Sequence, residues 1–286
     1  MEKTDNFFLI HNFNTIPDNL IAYTSSYCIV DASDDPAVTA ALKNGGYTFT
    51  HRENTGHNLT SYFSWFAENY DALPEVVCLL KGNIIGRHCS AEYFDKVYGN
   101  TWFTYLYEDK KMIQRYSKPT EEMLRNNHWK DPNADSIASL LAESRYVELN
   151  SSWYMHQPTH LYRYFRDYDD ALRFIYKDPV IPKMIEFAPG GCYILRREQI
   201  RLHRPEFYLN LNKIMNYTMT PGFPAEAYIV ERMLPAFFEI RMEENPWMND
   251  PDAFDAKLEE QRKRTADADA ADAVHFKRLR RMLGLA

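Results

Sequence analysis

The chain has 286 residues, 45% of them hydrophobic and 15% aromatic, with a formal net charge of −7. That length admits one large domain or two small ones and is ample for a sizeable core. The acidic balance argues against a nucleic-acid-binding surface over the whole protein, though not against a local basic patch, and no stretch approaches the roughly 18 apolar residues of a membrane span. Cys28, Cys78, Cys89 and Cys192 are far apart and show no CxxC or Cys/His zinc spacing. They are expected as reduced, mostly buried thiols of a cytoplasmic protein. Residues 1–13 (MEKTDNFFLIHNF) carry no basic region followed by a long apolar segment, so no secretory signal is expected.

Residues 7–10 (FFLI) predict a first buried strand, which ends in His11, Asn12, Phe13 and Asn14. Residues 27–30 (YCIV) predict a second, followed by Asp31 and an acidic turn. Pro36 at the first helical position opens a helix through Asn44, and Gly45-Gly46 stops it. Residues 47–51 (YTFTH) alternate like a third strand. A helix is predicted over 59–70, with Tyr62, Phe63, Phe66 and Tyr70 on helical spacing.

Residues 76–80 (VVCLL) form an uninterrupted apolar run after Leu73-Pro74, the pattern of a strand buried on both faces. It ends in Lys81, Gly82 and Asn83, and Arg87 and His88 follow. Strands alternating with helices imply a mostly parallel sheet, and such sheets bind ligands at the carboxyl ends of their strands. Residues 81–88 are therefore a candidate site. The plainer alternative is a turn at Gly82 and Asn83 with Lys81 solvated.

Further on, a helix is predicted over 91–98, a strand over 101–107 and helices over 120–126 and 131–141. Residues 151–164 crowd Trp153, Tyr154, His156, His160, Tyr162 and Tyr164 into a stretch expected to shape the site. The break at Pro189-Gly190-Gly191 precedes a strand over 192–195 and a helix over 198–215, interrupted near 203–205. A turn over 221–224 leads to a helix over 225–238, bent at Pro235. After Pro246-Trp247 the chain turns rich in Ala and charge. The expected division is an α/β domain over 1–250 and a helical tail over 251–286.

Three segments, in this order, resemble the GT-A class of nucleotide-sugar glycosyltransferases. Residues 53–63 (ENTGHNLTSYF) are similar to an Asn-x-Gly segment of polysaccharide-building members. Residues 76–88 (VVCLLKGNIIGRH) look like a hydrophobic strand followed by Gln-Gly-Asn/Asp and His. Residues 189–208 (PGGCYILRREQIRLHRPEFY) and the run AEAYIVERMLPAFF (225–238) resemble the acceptor-side strand and the Glu-Arg helix. The likeness covers roughly residues 5–240, in patches.

The resemblance implies a GT-A-like, Rossmann-like α/β fold. It also implies transfer of a sugar from a nucleotide-sugar donor to a hydroxyl of a polysaccharide or glycolipid acceptor, as in capsule or lipopolysaccharide assembly. The expected setting is the cytoplasm, with peripheral contact at the inner membrane face. Asp31 would then hold the nucleotide base, with Asn12 at the neighbouring strand end. Asn54 and Gly56 would lie near the ribose and donor sugar. Gly190 and Gly191 would let a sugar approach the backbone. Glu231 is the first candidate for general base and Glu226 the second.

The chain departs from the family at the central strand, where Asp-x-Asp commonly binds a divalent metal and Lys81-Gly82-Asn83 stands here. The expectation is no metal, with Lys81, Arg87 or His88 offsetting the diphosphate; Mn or Mg held by other carboxylates is the alternative. The DYDD string at 167–170 sits in an aromatic, helix-like run and is not assigned a metal. Each of these residues also has a plainer reading: cap, turn glycine, ion pair or hydrogen-bonded histidine.

The rival functional reading is a catalytically inactive GT-A-like protein that binds a nucleotide or sugar. A metal-independent hydrolase is a further one, although a Gly-x-Ser-x-Gly elbow and a P-loop are both absent. The end of the tail, residues 274–285 (VHFKRLRRMLGL), spaces Phe276, Leu279 and Leu283 helically among four basic residues. Two readings stay open for it: an amphipathic helix on an anionic membrane face, or packing on the protein body or a second subunit.

Overall fold

The computed structural model describes residues 2–108, 145–150, 161–217 and 223–283. The helices expected over 120–126 and 131–141, residues 151–160 and part of the 221–224 turn lie outside them. The strands are β1 (Thr4–Asn12), β2 (Thr24–Asp31), β3 (Phe49–His51), β4 (Val76–Lys81), β5 (Thr104–Tyr105), β6 (Tyr146–Leu149), β7 (Met184–Phe187) and β8 (Tyr193–Arg196). A six-stranded sheet has the order β3-β2-β1-β4-β8-β5, and β6 and β7 form a separate antiparallel pair. β3, β2, β1 and β4 are parallel, whereas β8 runs antiparallel to both β4 and β5.

The apolar runs are continuous because both faces of the sheet are covered. Leu9, Val77 and Leu79 enter one core, and their neighbours Phe8, Ile10, Cys78 and Leu80 enter the other. This is the period-2 alternation of a strand, with a hydrophobic destination on either side. α1 (Pro36–Asn44) contributes Leu42 to the second core, and α3 (Ala91–Val97) contributes Phe94. The first core takes α2 (His57–Glu68), α4 (Tyr168–Ile175), α5 (Pro205–Met215) and α6 (Ala225–Glu239).

Helix starts follow their caps. Asp35 accepts from the Ala37 N–H at 2.9 Å with Pro36 at the first position, and Ser90 accepts from the Tyr93 N–H at 3.1 Å. All four cysteines are buried and unpaired.

α7 (Pro251–Met282) is less peripheral than its composition suggests. Phe254, Leu258, Gln261 and Thr265 are buried along one helical line, and Phe254 and Leu258 belong to the first core. Past Asp272, which pairs with Arg166, the line continues outward: Phe276 is 62% and Leu283 71% exposed. Among the described residues, no helix is long and apolar enough to cross a membrane.

Two strands are shorter than the sequence predicts. β3 omits Tyr47 and Thr48, and β5 keeps only two of the seven residues of 101–107, because it is an edge strand beside an exposed Trp102. The β6–β7 pair has no counterpart in the sequence reading.

Candidate functional site

The chain builds outward from β1 in two directions, to β2 and β3 on one side and to β4 on the other. This switch leaves a crevice at the carboxyl ends of β1 and β4. The register brings the strand ends level: His11 lies opposite Lys81, Asn12 opposite Asp31, and Asp31 opposite His51.

Asp31 is the knot of this edge. Its fully buried carboxylate accepts from Ser33 Oγ (2.6 Å), Thr39 Oγ1 (2.6 Å), Asn12 Nδ2 (3.1 Å) and the Ser33 N–H (3.3 Å), with His51 Nδ1 3.4 Å away. Burial alone would raise its pKa. The hydrogen bonds from Ser33, Thr39, Asn12 and His51 outweigh burial and hold it below the ordinary range. Asn12 is buried too and accepts from Thr15 Oγ1 at 2.6 Å. A Cβ on Gly82 would come within 2.8 Å of both Asn12 Oδ1 and Thr15 Oγ1, so glycine lets the end of β4 close against β1. Asp31 and Asn12 therefore make the floor of the crevice and spend their polar atoms on the protein.

Above this floor is a cationic cluster. Lys81 is half-buried, Arg87 is exposed, and His57 and His88 are half-buried. Burial first, then the charges of Lys81 and Arg87, push both imidazoles down to about 4. His11, underneath, is pushed down to about 3 by burial, Lys81 and His57, against an opposing pull from Asp31; its Nδ1 lies 3.0 Å from Ser61 Oγ. All three rings are neutral near pH 7. His57 opens α2 with φ of +55°, a left-handed conformation that costs a non-glycine residue energy, and its ring lies 3.6 Å from that of Phe223. Among the described residues, the buried Nε2 atoms of His57 and His88 and Oδ1 of Asn54 have no hydrogen-bond partner. Asn83 is exposed at the rim.

The third part is the turn before β8. Gly190 has φ of +98° and Gly191 of +63°, conformations open to glycine. The Gly190 N–H donates to Glu231 Oε1 at 2.9 Å, and its carbonyl accepts from Asn58 Nδ2 at 2.8 Å. A Cβ on Gly190 would stand 2.8 Å from the His88 ring, and one on Gly191 about 3.1 Å from Asn58 and Leu59. The space above both glycines is thus filled by protein. Through Gly190 the turn ties together His88, Asn58 and Glu231. Burial raises the pKa of Glu231, and Lys81, Arg232 and the Gly190 N–H partly offset that. Arg232 itself is turned away into a buried pair with Glu148.

The remaining sequence candidates are engaged in packing, capping or ion pairs. Glu226 is fully buried, where its Oε1 accepts from the Arg163 and Tyr164 N–H groups at 2.8 and 2.7 Å and its Oε2 from the Tyr217 hydroxyl. It clamps a loop onto α6. Gly56 is buried, and a Cβ there would meet Thr60 Cγ2 at 2.3 Å and Met215 Cβ at 3.1 Å, so it serves close packing of the loop on α5. Asp167 caps α4, Asp169 pairs with Arg173, and Asp170 with Arg264.

His11, His57, Asn58 and Ser61 complete the crevice although none was a sequence candidate. The signal for His11 was its place at the end of the first strand, and that for His57 and Asn58 their place in the 53–63 segment; Asn58 joins the site where its Nδ2 donates to the Gly190 carbonyl. The Asp-x-Asp that holds a divalent metal in the GT-A likeness has no counterpart at the end of β4. β4 ends in the Lys81 cation with Arg87 nearby, and among the described residues no three His, Cys, Asp or Glu side chains gather to hold a metal. Comparison of the chain with protein-family models, curated proteins and solved structures finds no match.

Proposed function

We propose that this crevice transfers a sugar from a nucleotide-sugar donor to a hydroxyl of a glycan or glycolipid acceptor, on a GT-A-like fold and without a divalent metal. The observation that carries the reading is Glu231. A half-buried carboxylate with raised proton affinity is fixed by the Gly190 N–H in the field of Lys81, beside the switch point of the sheet. A carboxylate tuned upward by burial suits general-base work at neutral pH.

In this reading Lys81 and Arg87 offset the donor diphosphate, and Glu231 takes the proton of the acceptor hydroxyl. The acceptor oxygen bonds to the anomeric carbon as the bond to the diphosphate breaks, and the nucleoside diphosphate leaves with that electron pair. Asp31 and Asn12 keep the three strand ends in register under the donor. The GT-A assignment is supported by the order of features: an Asp ending β2, Asn-x-Gly before the helix into β4, and Gly-Gly before a strand that returns beside β4. The same reading sets the protein in the cytoplasm, with the basic segment 274–285 against the inner membrane face or a second copy.

Incubation with sugars of UDP, GDP, CMP and dTDP, followed by assay of nucleotide release with and without EDTA, tests this. The expected result is release from one donor class that survives EDTA and falls roughly 100-fold or more in Glu231→Gln. Tight binding of a nucleotide with no release under any condition would favour the binding-protein reading instead.

A further inference from the structure

The transfer scheme leaves two buried ring nitrogens unused, His57 Nε2 and His88 Nε2, neither with a hydrogen-bond partner among the described residues. Buried polar groups in native proteins are nearly always paired, so orphans that share a crevice point to a missing ligand. The two imidazoles approach from different elements. His57 stands at the start of α2 in a strained left-handed conformation, and His88 follows β4 and packs over Gly190. Asn58, next to His57, grips the Gly190 carbonyl, so the two histidines are two links apart through one peptide.

Both rings feel Lys81 and Arg87, and neither of those cations has an ion-pair partner among the described residues. Two uncommitted cations and two uncommitted ring nitrogens in one crevice lack a single thing, a compact anion with several acceptor oxygens. Sugar hydroxyls would satisfy the ring nitrogens and leave the cations unanswered. A metal ion would satisfy the nitrogens and be repelled by the cations.

We propose that His57 Nε2 and His88 Nε2, with Lys81 and Arg87, form a phosphoryl-binding site in which both histidines donate hydrogen bonds to phosphate oxygens. For the identity of the natural ligand this rests on the transfer reading, where the phosphoryl groups are those of the donor. His57 thereby gains a role that no motif indicated. Binding also moves protons. Lys81, Arg87 and the desolvation of the crevice keep both rings neutral; the carboxylates around them are Glu231, held by the Gly190 N–H, Glu108, whose backbone N–H donates to the His88 carbonyl, and Asp31, which acts on His11. A phosphoryl anion reverses the sign of that field, so the rings take up protons as it binds.

The test uses the full chain and inorganic pyrophosphate at pH 6, where both free rings are neutral. The ring resonances of His57 and His88, assigned through His57→Phe and His88→Phe, should move toward the imidazolium position as pyrophosphate is added. Those of His203 should not, because its two nitrogens are held by Glu244 and the Phe237 carbonyl. In calorimetry each Phe variant should bind pyrophosphate roughly tenfold more weakly, with a melting temperature showing that the fold is intact. Unmoved His57 and His88 resonances, or equal pyrophosphate affinity in the wild type and the double Phe variant, overturn the proposal. Donor turnover that persists in that double variant overturns the histidine site while leaving the transfer reading standing. Histidine-dependent pyrophosphate binding without turnover of any nucleotide sugar supports the site and removes the transfer.

Discussion

Asp31 gathers donors from two strands, a turn and a helix onto one buried carboxylate: Asn12, Ser33, Thr39 and His51. Removing it strands those donors, so Asp31→Ala should destabilise the fold by about 1–3 kcal/mol for the unpaired buried groups. The pH dependence has a definite sign. The folded-state pKa is depressed below the ordinary value of about 3.9, so the contribution of the charge is fully present above that value and disappears as pH falls through the folded one. Urea denaturation of wild type and Asp31→Asn should show a gap that is constant from pH 5 to 7 and closes below about pH 4. A gap that widens on acidification would mean the carboxylate is not held by these bonds. Asp31 was legible as a residue at a strand end, but its occupation was not. That depends on Thr39 and Ser33 folding back over it, a contact that no spacing in the sequence announces.

At the scale of elements, the strands and helices with strong local signals stand where the sequence puts them. The run 76–80 is legible because both faces are buried, and Pro36 and Pro205 open helices at the first position. Pro235, expected to bend its helix, sits inside α6. β6 and β7 were missed because a four-residue pair is stabilised by its partner, not by its own pattern. Glu231 and His88 were legible as types; their meeting through Gly190 was not, since it depends on two residues at positive φ in a turn that begins 109 positions after the end of β4.

α7 gives a test of its own. Leu258 is buried in the first core and Phe276 continues the same helical line in solvent. Leu258→Ala should cost about 2–4 kcal/mol in chemical denaturation and Phe276→Ala less than about 0.5 kcal/mol. Equal losses would show that the far end of the helix is docked as well.

Over the whole molecule the charge is uneven. A chain of net charge −7 carries Lys277, Arg278, Arg280 and Arg281 within five positions, beyond Asp272, which pairs with Arg166. On an anionic bilayer each such residue contributes about 1 kcal/mol. Full-length protein should sediment with anionic vesicles at low salt, and a chain ending at Asp272 should stay in the supernatant with an unchanged melting temperature. If both remain in the supernatant, the membrane contact is excluded, and packing on the protein body or on a second copy of the chain is left for that face.

The central claim is that the crevice between β1 and β4, not the groove of about 680 Å³ beside Arg145, Glu186 and Glu239, is where the protein works. A crystal structure with a bound nucleoside diphosphate tests it most directly. The account predicts phosphate oxygens within hydrogen-bond reach of Lys81 Nζ and of His57 or His88, with Glu231 on the open side toward the acceptor. A diphosphate seated elsewhere on the chain, with Lys81 and both histidines still uncommitted, would contradict it.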